Sequence, residues 1–122
     1  MISEYEEQCN FFTQLRITYP NVWKAAYAHC DGAYYGEDEK SRYRTAAKLK
    51  RQGAKKGVPD VFIAVAKGKY HGLYIEMKRI KGGAVSEEQK LMLNLLTDNG
   101  YACFVAKGAD EAFKAVERYL KL

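Results

Sequence analysis

The spacing of apolar residues changes several times along the chain, and each change marks an element. Tyr5, Cys9, Phe12 and Leu15 recur at helical intervals behind a Ser3/Glu6 capping box and stop at Pro20, which predicts a first helix. Between Val22 and His29, Trp23, Ala25 and Tyr27 alternate with other residues and predict a strand. Gly32 to Lys40, with the acidic run Glu37-Asp38-Glu39, reads as a loop. Ser41 to Gln52 returns to helical spacing through Tyr43, Ala47 and Lys50 and ends before Gly53. Val61 to Ala66 is apolar on both faces and rich in β-branched and aromatic residues, as a buried central strand is. After Lys67-Gly68-Lys69, Leu73, Ile75 and Met77 alternate with Tyr74, Glu76 and Lys78, a strand with one apolar face and one carrying polar chemistry. Ser86 and Gln89 form a second capping box ahead of Leu91, Met92, Leu95 and Leu96. Tyr101 to Ala106 is a further strand and Asp110 to Leu122 a last helix.

These elements join in a restricted way. The helix between Gly72 and Ala106 is a crossover long enough to set two strands parallel, whereas the short link from Lys67 to His71 makes the preceding pair antiparallel. The expected fold is therefore α/β, a mixed sheet flanked by helices, in one domain over residues 1–122. If the hairpin turns between Ala66 and Gly72, Asp60 falls opposite Lys78 and diagonal to Glu76. Glu76 and Lys78 share a face, and Asp60 enters the sheet beside them.

Charge adds a second pattern. The formal net charge is +5, but Arg42, Arg44, Lys48, Lys50, Arg51 and the pair Lys55-Lys56 crowd into one stretch that runs into Asp60. Standing alone, such a stretch is a solvated helix face; next to carboxylates that bind cations it is a footprint for phosphate. Lys48, Arg51, Lys55 and Lys56 are the residues expected to bind a DNA backbone. The longest apolar runs are too short to span a bilayer, and the N-terminus has neither a basic start nor an apolar signal core. A soluble, unsecreted protein is expected, without a membrane partner. Cys9, Cys30 and Cys103 lack paired spacing and read as reduced core thiols, and two histidines do not suffice for an imidazole-rich zinc site. Any catalytic metal would then sit among oxygen ligands, which favours magnesium or manganese.

Two nearby carboxylates repel each other unless a cation neutralises them. A divalent cation held by Asp60 and Glu76 would polarise a phosphate oxygen, while Lys78 would offset negative charge on the reacting group. A Glu-x-Lys triplet is common, and by itself describes an exposed strand face with a weak ion pair. Preceded at hairpin distance by Gly57-Val58-Pro59-Asp60, whose glycine-proline turn fixes how Asp60 approaches the sheet, it is more specific than its parts.

Gly57-Val58-Pro59-Asp60, Glu76-Met77-Lys78 and Ser86-Glu87-Glu88-Gln89, in that order, resemble the motifs of VRR-NUC nucleases of the PD-(D/E)XK superfamily. Glu4-Tyr5-Glu6-Glu7-Gln8 is similar to that family's N-terminal Glu-x-x-x-Gln, and Gly100-Tyr101 to the glycine before its last core strand. The resemblance implies an αβββαβ core, here with an inserted helix and a C-terminal helix. It also implies metal ligation by Asp60, Glu76 and the backbone carbonyl of Met77, with Lys78 catalytic, Gln89 orienting water, metal or phosphate, and Glu4 near the metal. Where the family often has an Asn-Gly-rich stretch with a basic residue, this chain has His29-Cys30-Asp31-Gly32 and a later Arg42. His29 reads as structural.

The expected function is that of a metal-dependent deoxyribonuclease in the cytoplasm of a bacterial or phage-infected cell. The alternative is a non-catalytic nucleic-acid-binding module; a protein-interaction scaffold accounts for the size but not for the motifs. Standalone viral and bacterial members of the family are thought to resolve DNA junctions, and symmetric incision of a junction needs two active sites. A homodimer acting on branched DNA is therefore expected, with Tyr34, Tyr35, Tyr43 and Tyr70 as candidate interface rings.

Overall fold

The computed structural model describes residues 2–29 and 38–122. Their order is α1 (Glu4–Thr18), α2 (Pro20–Lys24), β1 (Ala26–Ala28), α3 (Glu39–Arg51), β2 (Val61–Ile63), β3 (Leu73–Lys78), α4 (Glu87–Asp98), β4 (Ala102–Lys107) and α5 (Ala109–Leu120). The strands form one four-stranded sheet in the order β1-β2-β3-β4. The first two pairings are antiparallel and β3–β4 is parallel. This is the expected mixed sheet, an αβββαβ core with α2 and α3 inserted and α5 appended.

Both capping boxes form. Ser3 Oγ accepts the Glu6 amide and Ser86 Oγ accepts the Gln89 amide, satisfying donors that the first turns of α1 and α4 would otherwise leave free. The Val22–His29 segment differs from expectation: its first half is the short helix α2, and the strand begins only at Ala26. Pro20 ends one helix and occupies the first turn of the next, where its missing N–H costs nothing. Asp38, expected in a loop, is the N-cap of α3 and accepts the Ser41 amide. Cys30, Tyr34 and Tyr35 lie outside the described residues. Cys9 is exposed rather than part of the core, and Cys103 is half-buried.

The core lies between one face of the sheet and the pair α1 and α5. Val61, Ile63, Leu73, Ile75 and Met77 meet Phe11 and Leu15 from α1 and Phe113, Val116 and Tyr119 from α5. The recurrence of Ala112, Phe113, Val116 and Tyr119 at helical spacing makes α5 one-sided, and Tyr119 ends that stripe by donating its hydroxyl to the Val65 carbonyl at 2.6 Å. Buried Glu7 of α1 accepts the Ala109 amide at the start of α5 at 3.1 Å, a favourable place for a carboxylate. The Gly108 amide donates to the Lys78 carbonyl at 2.9 Å, tying α5 to the end of β3. Through these contacts the N-terminus of α1 and the C-terminal end of β3 are held together. Among the described residues, no helix is long and apolar enough to cross a membrane.

Candidate active site

Period-two alternation turns Tyr74, Glu76 and Lys78 away from the face that carries Leu73, Ile75 and Met77. Near the middle of that second face, Phe62 and Tyr74 stack with ring centroids 4.4 Å apart. At its end sit Glu76, 2% exposed, and Lys78, 8% exposed. Both are therefore buried, not displayed on a solvated strand.

Asp60 reaches them by a register different from the expected one. Val61 pairs with Ile75 and Ile63 with Leu73, so continuing one step sets Asp60 across from Glu76 instead of Lys78. The strand β2 stops at Ile63, and the turn closes by reciprocal backbone bonds between Lys67 and Tyr70. Ala64-Val65-Ala66 thus faces only His71-Gly72, and this uneven stretch shifts the pairing. Asp60 is fixed from two sides: its carbonyl accepts the His29 amide at 2.7 Å, and its Oδ2 accepts the Met77 amide at 2.7 Å. His29 therefore acts on the site through its backbone.

Gln89 joins the cluster from the first turn of α4. Its Oε1 accepts both the Ser86 amide, at 2.9 Å, and Lys78 Nζ, at 3.1 Å, while its Nε2 donates to Glu76 Oε2 at 3.0 Å. The cap and the carboxylate cluster thus share one side chain. Lys78 Nζ lies 3.4 Å from Glu76 Oε2. Burial first, then the charge and hydrogen-bonding contact of Asp60, pushes the Glu76 carboxyl up to about 8 despite the attraction of Lys78. Its Oε1 is buried and has no hydrogen-bond partner among the described residues.

Glu4, at the start of α1, completes the group. Carboxylate oxygens of Glu4, Asp60 and Glu76 all lie within 4.8 Å of one another. Partial burial and the charge of Asp60 raise the Glu4 carboxyl, and Lys78 and Arg79 oppose that shift. Three converging carboxylates, one of which leaves the buried Glu76 Oε1 without a partner among the described residues, form an all-oxygen donor set that fits a hard divalent cation. The amide of Met77 is spent on Asp60 and its side chain is in the core, leaving its carbonyl as the group to be considered as a ligand.

The basic residues are distributed around this centre. Lys48, Arg51, Lys55 and Lys56 are all exposed. Lys55 and Lys56 line a cleft of about 560 Å³ that also reaches Gln89, whereas Lys48 and Arg51 stand outside it. A second cleft, about 500 Å³, lies beside Glu4 and Lys78 and includes Arg79. Sequence reasoning passed over Arg79, since alternation would have sent the residue after Lys78 to the opposite face; the strand ends at Lys78 and releases it from that rule. Of the candidate interface rings, Tyr43 is exposed and Tyr70 packs toward Tyr119 with centroids 6.3 Å apart.

A family model described as "VRR-NUC domain" matches residues 13–110. Glu4 precedes that span; Asp60, Glu76, Lys78 and Gln89 fall within it. A solved structure titled "VRR_NUC domain protein" is similar to this chain with a TM-score of 0.83 and 29% sequence identity, over 100% of this chain and 91% of that one. No curated protein matches the chain.

Proposed function

We propose, from the premise that this chain belongs to the VRR-NUC domain family and so is of nuclease type, that residues 1–122 form one domain that hydrolyses DNA phosphodiester bonds with a divalent cation, magnesium or manganese. The observation that carries this reading is the convergence of Glu4, Asp60 and Glu76 within 4.8 Å, beside Lys78. Asp60 and Glu76 would hold the cation together with the Met77 carbonyl, and Glu4 would add a further carboxylate. When bound, the cation supplies Lewis acidity toward phosphate and water and neutralises the acidic cluster.

The chain's own residues then have separable tasks. Asp60, locked to the Met77 amide, keeps its carboxylate within the cluster. Lys78 offers an ammonium to the negative charge that grows on the phosphate oxygens during attack, where a preorganised donor in a poorly solvated place is most effective. Gln89 holds that ammonium and Glu76 at once, so neither has to reorganise. Lys48, Arg51, Lys55 and Lys56 meet the DNA backbone and supply affinity without sequence information.

The finer reading is a homodimer acting on branched DNA in the cytoplasm of a bacterial or phage-infected cell. What supports it is that one chain carries one such carboxylate cluster among the described residues, whereas paired incision across a junction needs two related by symmetry. The test is incubation with linear, flapped and four-way DNA over a range of magnesium and manganese concentrations, with sedimentation of the same preparation. Cleavage that stops in EDTA and favours branched substrates, by a dimer, is expected. DNA binding with no cleavage under any metal would favour the non-catalytic binding module instead.

A further inference from the structure

We infer that the cleft between α3 and the start of α4 receives an unpaired nucleobase of the substrate strand, stacked on Tyr43; the inference rests on the DNA-cleaving reading above. Helix α3 has 13 residues and buries none of them. Its Tyr43, Ala46, Ala47 and Lys50 fall at helical spacing on one side and line a cleft of about 560 Å³ that Gly57 and Gln89 also line. An aromatic ring and small apolar side chains in one lining suit a flat ligand with apolar faces, and the volume is in the range of clefts that take small organic groups. Tyr43 is 78% exposed, so the described residues cover little of its ring.

Charge and continuity identify the occupant. Six cationic side chains and one acidic one lie on α3, and the cleft itself is lined by three cationic residues, Lys50, Lys55 and Lys56, against one acidic residue, Glu88. Aromatic platforms inside a cationic groove are how proteins hold single strands, because every base has a π face and every nucleotide a phosphate. A second copy of this chain, itself carrying +5 and the same helix, would bring like charges together. The cleft adjoins the active site at Gln89, which lines it and contacts both Lys78 and Glu76. The base it takes thus belongs to a nucleotide close to the scissile phosphate. A base inside a duplex enters only after it is unstacked and unpaired at a cost, so the cleft favours strands with nucleotides already unpaired, such as flaps and junction arms.

The experiment compares wild type, Tyr43→Ala and Tyr43→Phe for affinity toward a single strand and the corresponding duplex in EDTA, with sedimentation of each protein and metal-dependent cleavage by wild type as a control. Stacking is worth ~1–3 kcal/mol per base, so Tyr43→Ala is expected to lose about tenfold or more in single-strand affinity, at ~1.4 kcal/mol per tenfold, while duplex binding changes little. Tyr43→Phe keeps the ring and retains the affinity. Equal loss for both substrates, or none, overturns the inference, as does a change in sedimentation with binding unaltered, which would assign the cleft to a second copy. If wild type cuts DNA and Tyr43→Ala binds both substrates as well as wild type does, the nuclease reading stands and the base site falls. If wild type neither binds nor cuts any DNA, both fall.

Discussion

Asp60 is locked to the strand that carries its partners, because its Oδ2 accepts the backbone amide of Met77 at 2.7 Å between Glu76 and Lys78 in the chain. One carboxylate thus serves both as an anchor and as a donor to the cluster. Asp60→Asn separates the two duties, since an amide oxygen can still accept the Met77 N–H but brings no negative charge. We expect a melting temperature close to that of wild type, the weakened hydrogen bond costing about 1 kcal/mol. Metal affinity should fall tenfold or more, because affinity for hard cations follows the charge of the donor set. Calorimetric titration with manganese, next to a thermal melt of the same variant, checks both parts; full cleavage by the variant would overturn the assignment of Asp60.

The raised carboxyl of Glu76 predicts an unusual pH dependence. Its value of about 8, against an ordinary 4.5, means that the folded protein holds a proton the unfolded chain releases between those values. In EDTA this group's contribution is therefore fully present below about pH 4.5 and is lost as pH rises through about 8, a change on the order of a few kcal/mol. On the proposed function a divalent cation would take the proton's place, so stabilisation by magnesium or manganese should grow over the same interval, with protons released on binding. Thermal melts of wild type and Glu76→Gln across this range, with and without metal, are the measurement. Glu76→Gln should remove both the slope and the metal-induced gain.

How far the site could be seen in the sequence follows from the range of the interactions that make it. The two capping boxes, Ser3/Glu6 and Ser86/Gln89, involve residues three apart, so composition and spacing already reveal them. The alternation from Leu73 to Lys78 is equally local and matches β3 end to end. The pairing of β2 with β3 is not local. It depends on β2 stopping at Ile63 and on the uneven stretch before the Lys67–Tyr70 turn, so hairpin arithmetic puts Asp60 opposite Lys78 where the register sets it across from Glu76. Pro20 misleads for a related reason: the same residue that stops α1 starts α2, and only packing decides which use prevails. The double bonding of Gln89 is tertiary as well, since the cap is legible in the sequence and its reach to Lys78 and Glu76 is not.

Because Gln89 serves α4 and the site together, two substitutions should part the roles. Gln89→Glu retains the capping chemistry but sets a further carboxylate against Glu76, whereas Gln89→Ala removes both the cap and the tie to Lys78. Gln89→Ala is expected to cost about 1 kcal/mol of stability, the scale of a lost cap interaction. Both variants should cut more slowly than wild type, and only the alanine should melt appreciably lower. Wild-type turnover in both variants, with the alanine alone melting lower, would return Gln89 to a purely capping role.

The exposed cations of the α3 region make a prediction that does not involve the metal. Replacing Lys48, Arg51, Lys55 and Lys56 by alanine should weaken DNA binding across sequences and flatten the dependence of affinity on salt, by up to ~0.9 in the log–log slope for each duplex phosphate that is no longer neutralised. Manganese affinity should stay at the wild-type value, since none of the four belongs to the carboxylate cluster. Titrations at several salt concentrations decide the point, and parallel slopes for the two proteins would leave these residues as a solvated helix face.

Gly57 offers the sharpest test of whether α4 must be held in place for the site to work. Its φ is +84°, and a Cβ there would lie 2.5 Å from the Glu88 carbonyl oxygen and 3.1 Å from the Gln89 amide nitrogen. Those are backbone atoms of the first turn of α4, so Gly57→Ala cannot be relieved by turning a side chain. Either the loop or the helix start has to move, and Gln89 moves with the helix. Gly53 is the natural control: its φ is +105°, equally unfavourable for alanine, but a Cβ there meets nothing within 4 Å. Both alanine variants should lose about 1–2 kcal/mol from the left-handed backbone alone, and Gly57→Ala should lose more. Cleavage should separate them further, with Gly53→Ala near wild type under conditions where it is folded, and Gly57→Ala slowed by tenfold or more because the hold on Lys78 and Glu76 is displaced. Turnover measured well below the melting point of each variant isolates this effect from stability; equal turnover for the two would mean that the close approach of Gly57 to α4 supports the fold and nothing beyond it.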